Sequence, residues 1–246
     1  MKRIDLNSDM GELPEAVADG SQQALLRFVT SANIACGGHA GTSEMMKQTI
    51  EQALAANVAI GAHPGYEDRE NMGRAEQNLT AGEIAALVYR QLLSLQKTAD
   101  RCGAQIRHVK PHGALYNQAA RDPQFARGIA DGVAQWCDQC RINKQEIVLV
   151  GLAGSVMLES FRAAGFQVAA EAFADRRYEP DGTLRARRYP DALITDPALA
   201  AQQVIKFVED QRAQTICIHG DTAGAHEIAA EVSRTLREYG IAMQPL

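Results

Sequence analysis

Short apolar runs alternate along the chain with longer stretches in which apolar residues recur every three or four positions. The short runs predict strands near 3–8, 29–35, 57–62, 106–110, 147–151, 166–171 and 215–219, with weaker ones near 192–195 and 241–243. The intervening stretches predict helices. Residues 43–56 place Met46, Ile50, Ala53 and Leu54 on one stripe. Residues 80–100 open with the capping box Thr80-x-x-Glu83 and align Ile84, Leu87, Val88, Leu92 and Leu95. Asp122-Pro123 and Asp196-Pro197 each put a capping acid before a proline suited to a first helical turn. Residues 223–238 repeat the stripe with Ala225, Ile228, Ala229, Val232 and Leu236.

Repeated β–α units imply a parallel sheet, open or closed into a barrel. The polar positions favour the barrel. Asp5, Asn7 and Asp9 share one face of the first strand, His108, Lys110 and His112 one face of the fourth, and Cys217, His219 and Asp221 one face of the seventh. A doubly wound sheet is covered by helices on both faces and needs apolar residues on both. A barrel packs helices on the outer face only and opens its inner face into a pocket at the strand ends. No Pro- or Ser-rich linker interrupts the pattern, so residues 1–246 are expected to form a single domain.

Composition narrows the partners. Hydrophobic residues make up 46% of the 246 and charged residues 22%, as in ordinary globular proteins. A net charge of −5 argues against nucleic acid as the main partner, because phosphate binding needs a basic face. No run approaches the roughly 20 apolar residues of a membrane span. The start of the chain turns polar at Asp5, where a secretory signal would be apolar, so the expected location is cytoplasmic. Among five cysteines only Cys137 and Cys140 have C-x-x-C spacing; without a second pair or a nearby histidine they read as reduced thiols.

Chemistry gathers where strands end. Asp5-Leu-Asn-Ser-Asp-Met-Gly-Glu12 packs three acids and an amide into eight residues, a source of general base, metal ligand or cation clamp. Ser31-Ala-Asn-Ile-Ala-Cys-Gly-Gly-His39 surrounds a histidine with glycines that let backbone approach a ligand, and Gly61-Ala-His-Pro-Gly65 repeats the device around His63. Val109-Lys-Pro-His-Gly113 supplies Lys110 and His112. His108 and His112 lie about 13 Å apart on an extended strand, too far to share an ion. Glu171-Ala-Phe-Ala-Asp-Arg176 opens a long polar segment to about residue 191 that has the length of a lid, and His219-Gly-Asp221 ends the seventh strand. No lysine follows a glycine, so a Walker loop is absent, and the pocket is expected to offer carboxylates rather than cations. Scattered ligands and the lack of a helical His-x-x-x-His favour a metal-independent mechanism.

Taken in order, these motifs (Asn33 and His39 in the second, His63 in the third, Lys110 and His112 in the fourth) resemble the LamB/YcsF family along nearly the whole chain. The chain departs from the family at Gly38, where a larger residue is usual, and at Met10-Gly-Glu-Leu-Pro14, where many members are glycine-rich. The resemblance implies a seven-stranded β/α barrel of the glycoside hydrolase/deacetylase type. It implies ATP-dependent opening of 5-oxoproline (pyroglutamate) to L-glutamate, in a complex with 5-oxoprolinase subunits B and C. ATP, accompanied by Mg, would be the co-substrate of that complex. Asp9 is expected as general base, Lys110 and the histidines as stabilisers of an oxyanion or phosphate, and Arg176 as the clamp for a substrate carboxylate. The catalytic set is then Asp9, Lys110, His112 and Glu171, and the substrate-binding set Asp5, Asn7, Asn33, His39, His63, Arg176, His219 and Asp221. Should a metal be held, Asp9, His39 and His63 are the expected ligands. Two other classes compete: a metal-dependent deacetylase of a small amide or sugar, and a non-catalytic regulatory subunit.

Overall fold

The computed structural model describes residues 2–246. Its strands are β1 (Arg3–Met10), β2 (Ser31–Ala35), β3 (Ala59–His63), β4 (Ile106–Val109), β5 (Val148–Leu152), β6 (Gln167–Phe173), β7 (Thr215–Cys217) and β8 (Ala242–Met243). The first seven pair in chain order, all parallel, and β1 pairs with both β2 and β7, which closes a seven-stranded barrel. β8 attaches outside the ring to the start of β1, at Arg3 and Ile4. The helices are α1 (Pro14–Ala18), α2 (Ser21–Leu26), α3 (Ser43–Ala55), α4 (Ala81–Cys102), α5 (Gly113–Arg121), α6 (Pro123–Cys140), α7 (Val156–Ala163), α8 (Pro197–Glu209) and α9 (Ala225–Glu238).

The start signals act as their chemistry dictates. Thr80 and Glu83 form the reciprocal capping box of α4, and the side chains of Asp122 and Asp196 accept backbone N–H groups at the starts of α6 and α8. Strand boundaries differ from the periodicity by a residue or two. Two expectations fail. Residues 192–195 form no strand; Leu193 makes one antiparallel bridge to Arg176, because β6 already has β5 and β7 on its two sides. Leu54 stands 42% exposed on α3, one step round the helix from buried Ala53. The short helices α1, α2 and α5 have too few turns for a periodic signal.

Leu6, Ile34, Val109 and Ile216 alternate with the inward polar positions and are fully buried in one apolar core with Leu92, Leu95, Val133, Trp136, Val204 and Val232 of α4, α6, α8 and α9. Each such side chain contributes roughly 1.5–3 kcal/mol through burial. The barrel's inner face is polar, unlike the branched apolar filling common in (β/α)8 barrels. At its base the Asp5 carboxylate accepts hydroxyl hydrogen bonds from Thr30 and Ser31, both at 2.6 Å, and from Thr215. Above it, Asn7 Nδ2 donates to Thr215 Oγ1 (2.6 Å) and Glu171 Oε1 (3.0 Å), while Asn33 Nδ2 donates to Asn7 Oδ1 (2.7 Å). His108 Nε2 meets Asn33 Oδ1 at 2.8 Å, and burial lowers the His108 pKa to about 3, so the ring is neutral and donates.

Gly61 makes this layer possible. It lies beside His108 in the β3–β4 ladder, and a Cβ there would sit 2.1 Å from His108 Nε2. Its role is room for an imidazole inside the barrel, not backbone approach to a ligand. Gly61→Ala must displace that ring from a packed interior, which typically costs about 1–3 kcal/mol. Urea denaturation is expected to show that loss, and a variant as stable as the parent would show that the inner layer yields freely.

Candidate active site

The upper end of the barrel begins with Lys110, directly after β4. Its buried ammonium is shared among Glu171 Oε1 (2.9 Å), Asp9 Oδ1 (3.0 Å), Cys217 Sγ (3.0 Å) and Asn7 Oδ1 (3.2 Å). Burial alone would lower the Lys110 pKa, but Asp9 and the other acceptors outweigh it and hold the group charged. Burial likewise opposes ionisation of Asp9, yet His63 and Lys110 beside it keep its carboxyl well below the usual carboxylate range. Asn33 Nδ2 donates to the same Asp9 oxygen at 2.8 Å. Burial pushes the Cys217 thiol up, so it faces the ammonium as a neutral acceptor.

A second cluster stands beside this one. Glu12, just past β1, places Oε1 at 2.9 Å from His39 Nε2, 3.1 Å from His112 Nδ1 and 3.7 Å from His63 Nε2. His63 Nε2 and His112 Nδ1 are 2.9 Å apart, and His63 Nε2 is 3.3 Å from Asp9 Oδ2. The outer ring nitrogens are tied to main chain: His63 Nδ1 to the carbonyl of Lys110 and His112 Nε2 to that of Met72, both at 2.8 Å. His39 stacks on His112 with ring centroids 3.7 Å apart, and burial lowers its pKa to about 4.

On the opposite side His219 Nδ1 is 2.9 Å from Asp175 Oδ1, and the ring stacks on Phe173. Asp175 also accepts from the backbone N–H of His219 and from the Thr222 hydroxyl, which holds the imidazole in place. These groups open into a cavity of about 650 Å³ lined by Asp9, Glu12, His63, Lys110, His112 and His219, with Phe173, Tyr116 and Leu152 among its apolar walls. The segment after β6 lies across the mouth, where Thr183, Leu184, Arg187 and Arg188 reach the cavity, as a lid would. Arg74 and Arg187 both contact Asp221 Oδ2, at 2.6 and 2.9 Å. Arg176 donates from Nη2 to the carbonyl of Arg185, while its Nε is buried without a partner. Burial lowers the Arg176 pKa to about 10, so it remains a cation at neutral pH.

The expected residues therefore separate. Asp9, Lys110, His63, His112, Arg176, His219 and Asp221 line the cavity; Asp5, Asn7 and Asn33 do not, and brace the barrel beneath it. Their parity is as expected, but inward-facing side chains at the base meet other strands instead of ligand. Glu171 is fully buried under Lys110, a charge partner and not a surface of the cavity. The ligand trio Asp9, His39 and His63 is divided, because Glu12 and not Asp9 meets His39. Nor are the ligands scattered: Glu12, His39, His63 and His112 bring donor atoms within 4.8 Å of one another. His108 and His112 do stay apart, in different layers. Residue types alone do not single out Glu12 or Asp175, although each closes or continues a motif already marked by its acids. The arginine rim carries no such mark, since Arg74 and Arg187 lie in the loops that follow the third and sixth strand-end motifs, outside the motifs themselves. Gly38 lies outside the cavity and makes room for Gln91, which binds Gly65 N and O and so fixes the turn after His63.

Known proteins share this architecture. The chain is 36% identical to the lactam utilization protein from Thermus thermophilus, with a TM-score of 0.88 over 99% of this chain and 100% of that one. A peptidoglycan N-acetylglucosamine deacetylase catalytic domain from Eubacterium rectale, 11% identical, superposes with a TM-score of 0.52 over 100% of this chain and 88% of its own, a likeness of fold. Proteins named as the A subunit of 5-oxoprolinase are 44% identical in Chloroflexus aggregans, over 99% of each chain, and 43% identical in Brevibacillus brevis, over 98% and 97%. The family model described as LamB/YcsF matches residues 4–246, and the chain belongs to that family.

Proposed function

We propose that this chain is the component of an ATP-dependent 5-oxoprolinase that opens the lactam of 5-oxoproline to L-glutamate, working with subunits B and C. The full-length likeness to chains named as the A subunit of 5-oxoprolinase carries the reading. The cavity is consistent with it. A small anionic lactam needs a cation for its carboxylate, and Arg176 offers an unpartnered, buried N–H at the wall. A lactam is a resonance-stabilised amide with a poor leaving group. Phosphorylation of its oxygen by ATP, which is supplied with Mg as co-substrate of the complex, makes the ring carbon electrophilic. Water then adds to that carbon, the C–N bond breaks and the ring nitrogen leaves as the amine with a proton, which leaves an acyl phosphate. A second water hydrolyses that acyl phosphate to the carboxylate and releases phosphate.

Asp9 is placed to receive the proton from the attacking water. Its Oδ1 is committed to Lys110 and Asn33, so Oδ2, facing His63, is the oxygen that accepts. Lys110, His112 and His219 surround the position where negative charge develops, and Glu171 keeps Lys110 in place from below. The rim arginines Arg74 and Arg187, held by Asp221, receive the phosphoryl group.

Asp9→Asn keeps an oxygen for Lys110 and Asn33 but removes the base, and loss of a general base typically lowers turnover about 10²–10⁴-fold. Steady-state rates of the complete complex check this; a variant with parental turnover would remove Asp9 from the chemistry. The chain alone has no Walker loop, so phosphate and glutamate release from ATP and 5-oxoproline is expected only when both partner subunits are added. Glutamate formed by the chain alone at the rate of the complex would refute that division of labour. Normal turnover by the partners without this chain would give it a regulatory role, and release of acetate from an N-acetyl sugar would make it a deacetylase.

A further inference from the structure

We propose that Glu12, His39, His63 and His112 form a binding site for one transition-metal dication, with zinc the best match to three imidazole nitrogens and one carboxylate. The site would belong to this chain itself, whatever becomes of the lactam reading. It begins with an imbalance of charge. Lys110 compensates Asp9 and Glu171, but among the described residues Glu12 has no lysine or arginine within ion-pair distance, and its partners are the three imidazoles. Its side chain is only 10% exposed, and a carboxylate taken out of water calls for a cation.

The tautomers point the same way. A neutral His63 that donates Nδ1–H to the Lys110 carbonyl presents a lone pair at Nε2. A neutral His112 that donates Nε2–H to the Met72 carbonyl presents one at Nδ1. Those two lone pairs face each other at 2.9 Å, with the Glu12 oxygen against them. Three electron-rich atoms converge, so a positive species belongs among them. The back-side bonds to main-chain carbonyls are the usual means of fixing the tautomer and direction of metal-bound histidines. The spacing also suits an ion: the separations of Glu12 from the three imidazoles and of His63 from His112 run from 2.9 to 3.7 Å, and all four donors lie within 4.8 Å of one another. Tetrahedral bonds of about 2.0–2.1 Å give edges of about 3.3–3.4 Å, inside that spread. Backbone makes the room, because a Cβ at Gly65 would come within 2.8 Å of His39 Nδ1 and one at Gly73 within 2.8 Å of His39 Cβ. The other convergent set, Asp9, Cys217 and His219, is less suited: the Lys110 ammonium already occupies its oxygen and sulfur. An ion on Glu12 and the histidines would face the cavity, where it could polarise a bound oxygen or acidify a water.

The full chain, stripped with chelator and shown to be folded by circular dichroism, is titrated with Zn²⁺ by calorimetry. Uptake is expected to saturate at one equivalent and to raise the melting temperature. Glu12→Gln and His112→Asn are each expected to weaken uptake at least tenfold, while His226→Asn, an exposed control, leaves it unchanged. X-ray absorption of the zinc-loaded parent provides a check that no variant's folding can affect. It is expected to show nitrogen and oxygen scatterers with the imidazole pattern. A sulfur scatterer near 2.3 Å would place the ion on a cysteine thiol and overturn the assignment. So would parental affinity in both folded variants, or no saturable uptake by the folded parent; the last would leave a trapped proton as the cation between the two rings.

Discussion

A single ammonium group organises the interior of this barrel. Lys110 enters from β4 with almost no access to solvent and holds Asp9 of β1, Glu171 of β6 and Cys217 of β7 to itself. Isolated, any of these charges would be costly to bury; together, with Asn7 and Asn33 supplying further hydrogen bonds, they compensate one another, and only Glu171 Oε2 among their carboxylate oxygens is buried without a partner. The arrangement ties four strands across the lumen, so the position of Asp9 depends on groups far away in sequence. A mutation at Glu171 therefore acts on the cavity without touching what is bound in it.

The polar lumen explains what the sequence conveyed and where it misled. Alternation along β1, β4 and β7 identified the inward faces correctly, because outward positions had to be apolar to meet the helices. Depth along the barrel has no such periodic mark. Asp5 and Asp9 share a face and a residue type, yet Asp5 ends among Thr30, Ser31 and Thr215 at the base while Asp9 reaches the cavity. Burial raises the Asp5 pKa, with the hydroxyls opposing, whereas for Asp9 the neighbouring His63 and Lys110 outweigh burial and depress it. The difference lies in partners contributed by other strands, which no local pattern reveals. Glu12 was hidden for a related reason: it lies beyond the end of β1, where alternation stops.

The cationic rim was equally invisible. Arg74 follows β3 by a long loop and Arg187 belongs to the segment after β6, but Asp221 after β7 draws both to one carboxylate oxygen. The contact fastens the lid segment to the body of the barrel. An incoming anion would compete with Asp221 for the two guanidinium groups, so occupancy of the mouth and release of this tether are coupled through shared hydrogen bonds. The expectation of a pocket dominated by carboxylates holds for its floor and fails at its entrance.

Floor and entrance thus differ in how charge is matched, and the floor itself has two halves. Around Lys110 the match is covalently guaranteed, since an ammonium on a buried stem cannot leave. Around Glu12 it rests on imidazoles, which are neutral donors or acceptors unless they take up a proton or a metal. Asp9 stands at the boundary, one oxygen toward Lys110 and the other toward His63. A cation taken up by the histidine half would act directly on the free oxygen of Asp9, while the lysine half holds the carboxylate still. An exchangeable charge on the side opposite the fixed ammonium would change the basicity of the group that faces the cavity while its geometry stays constant.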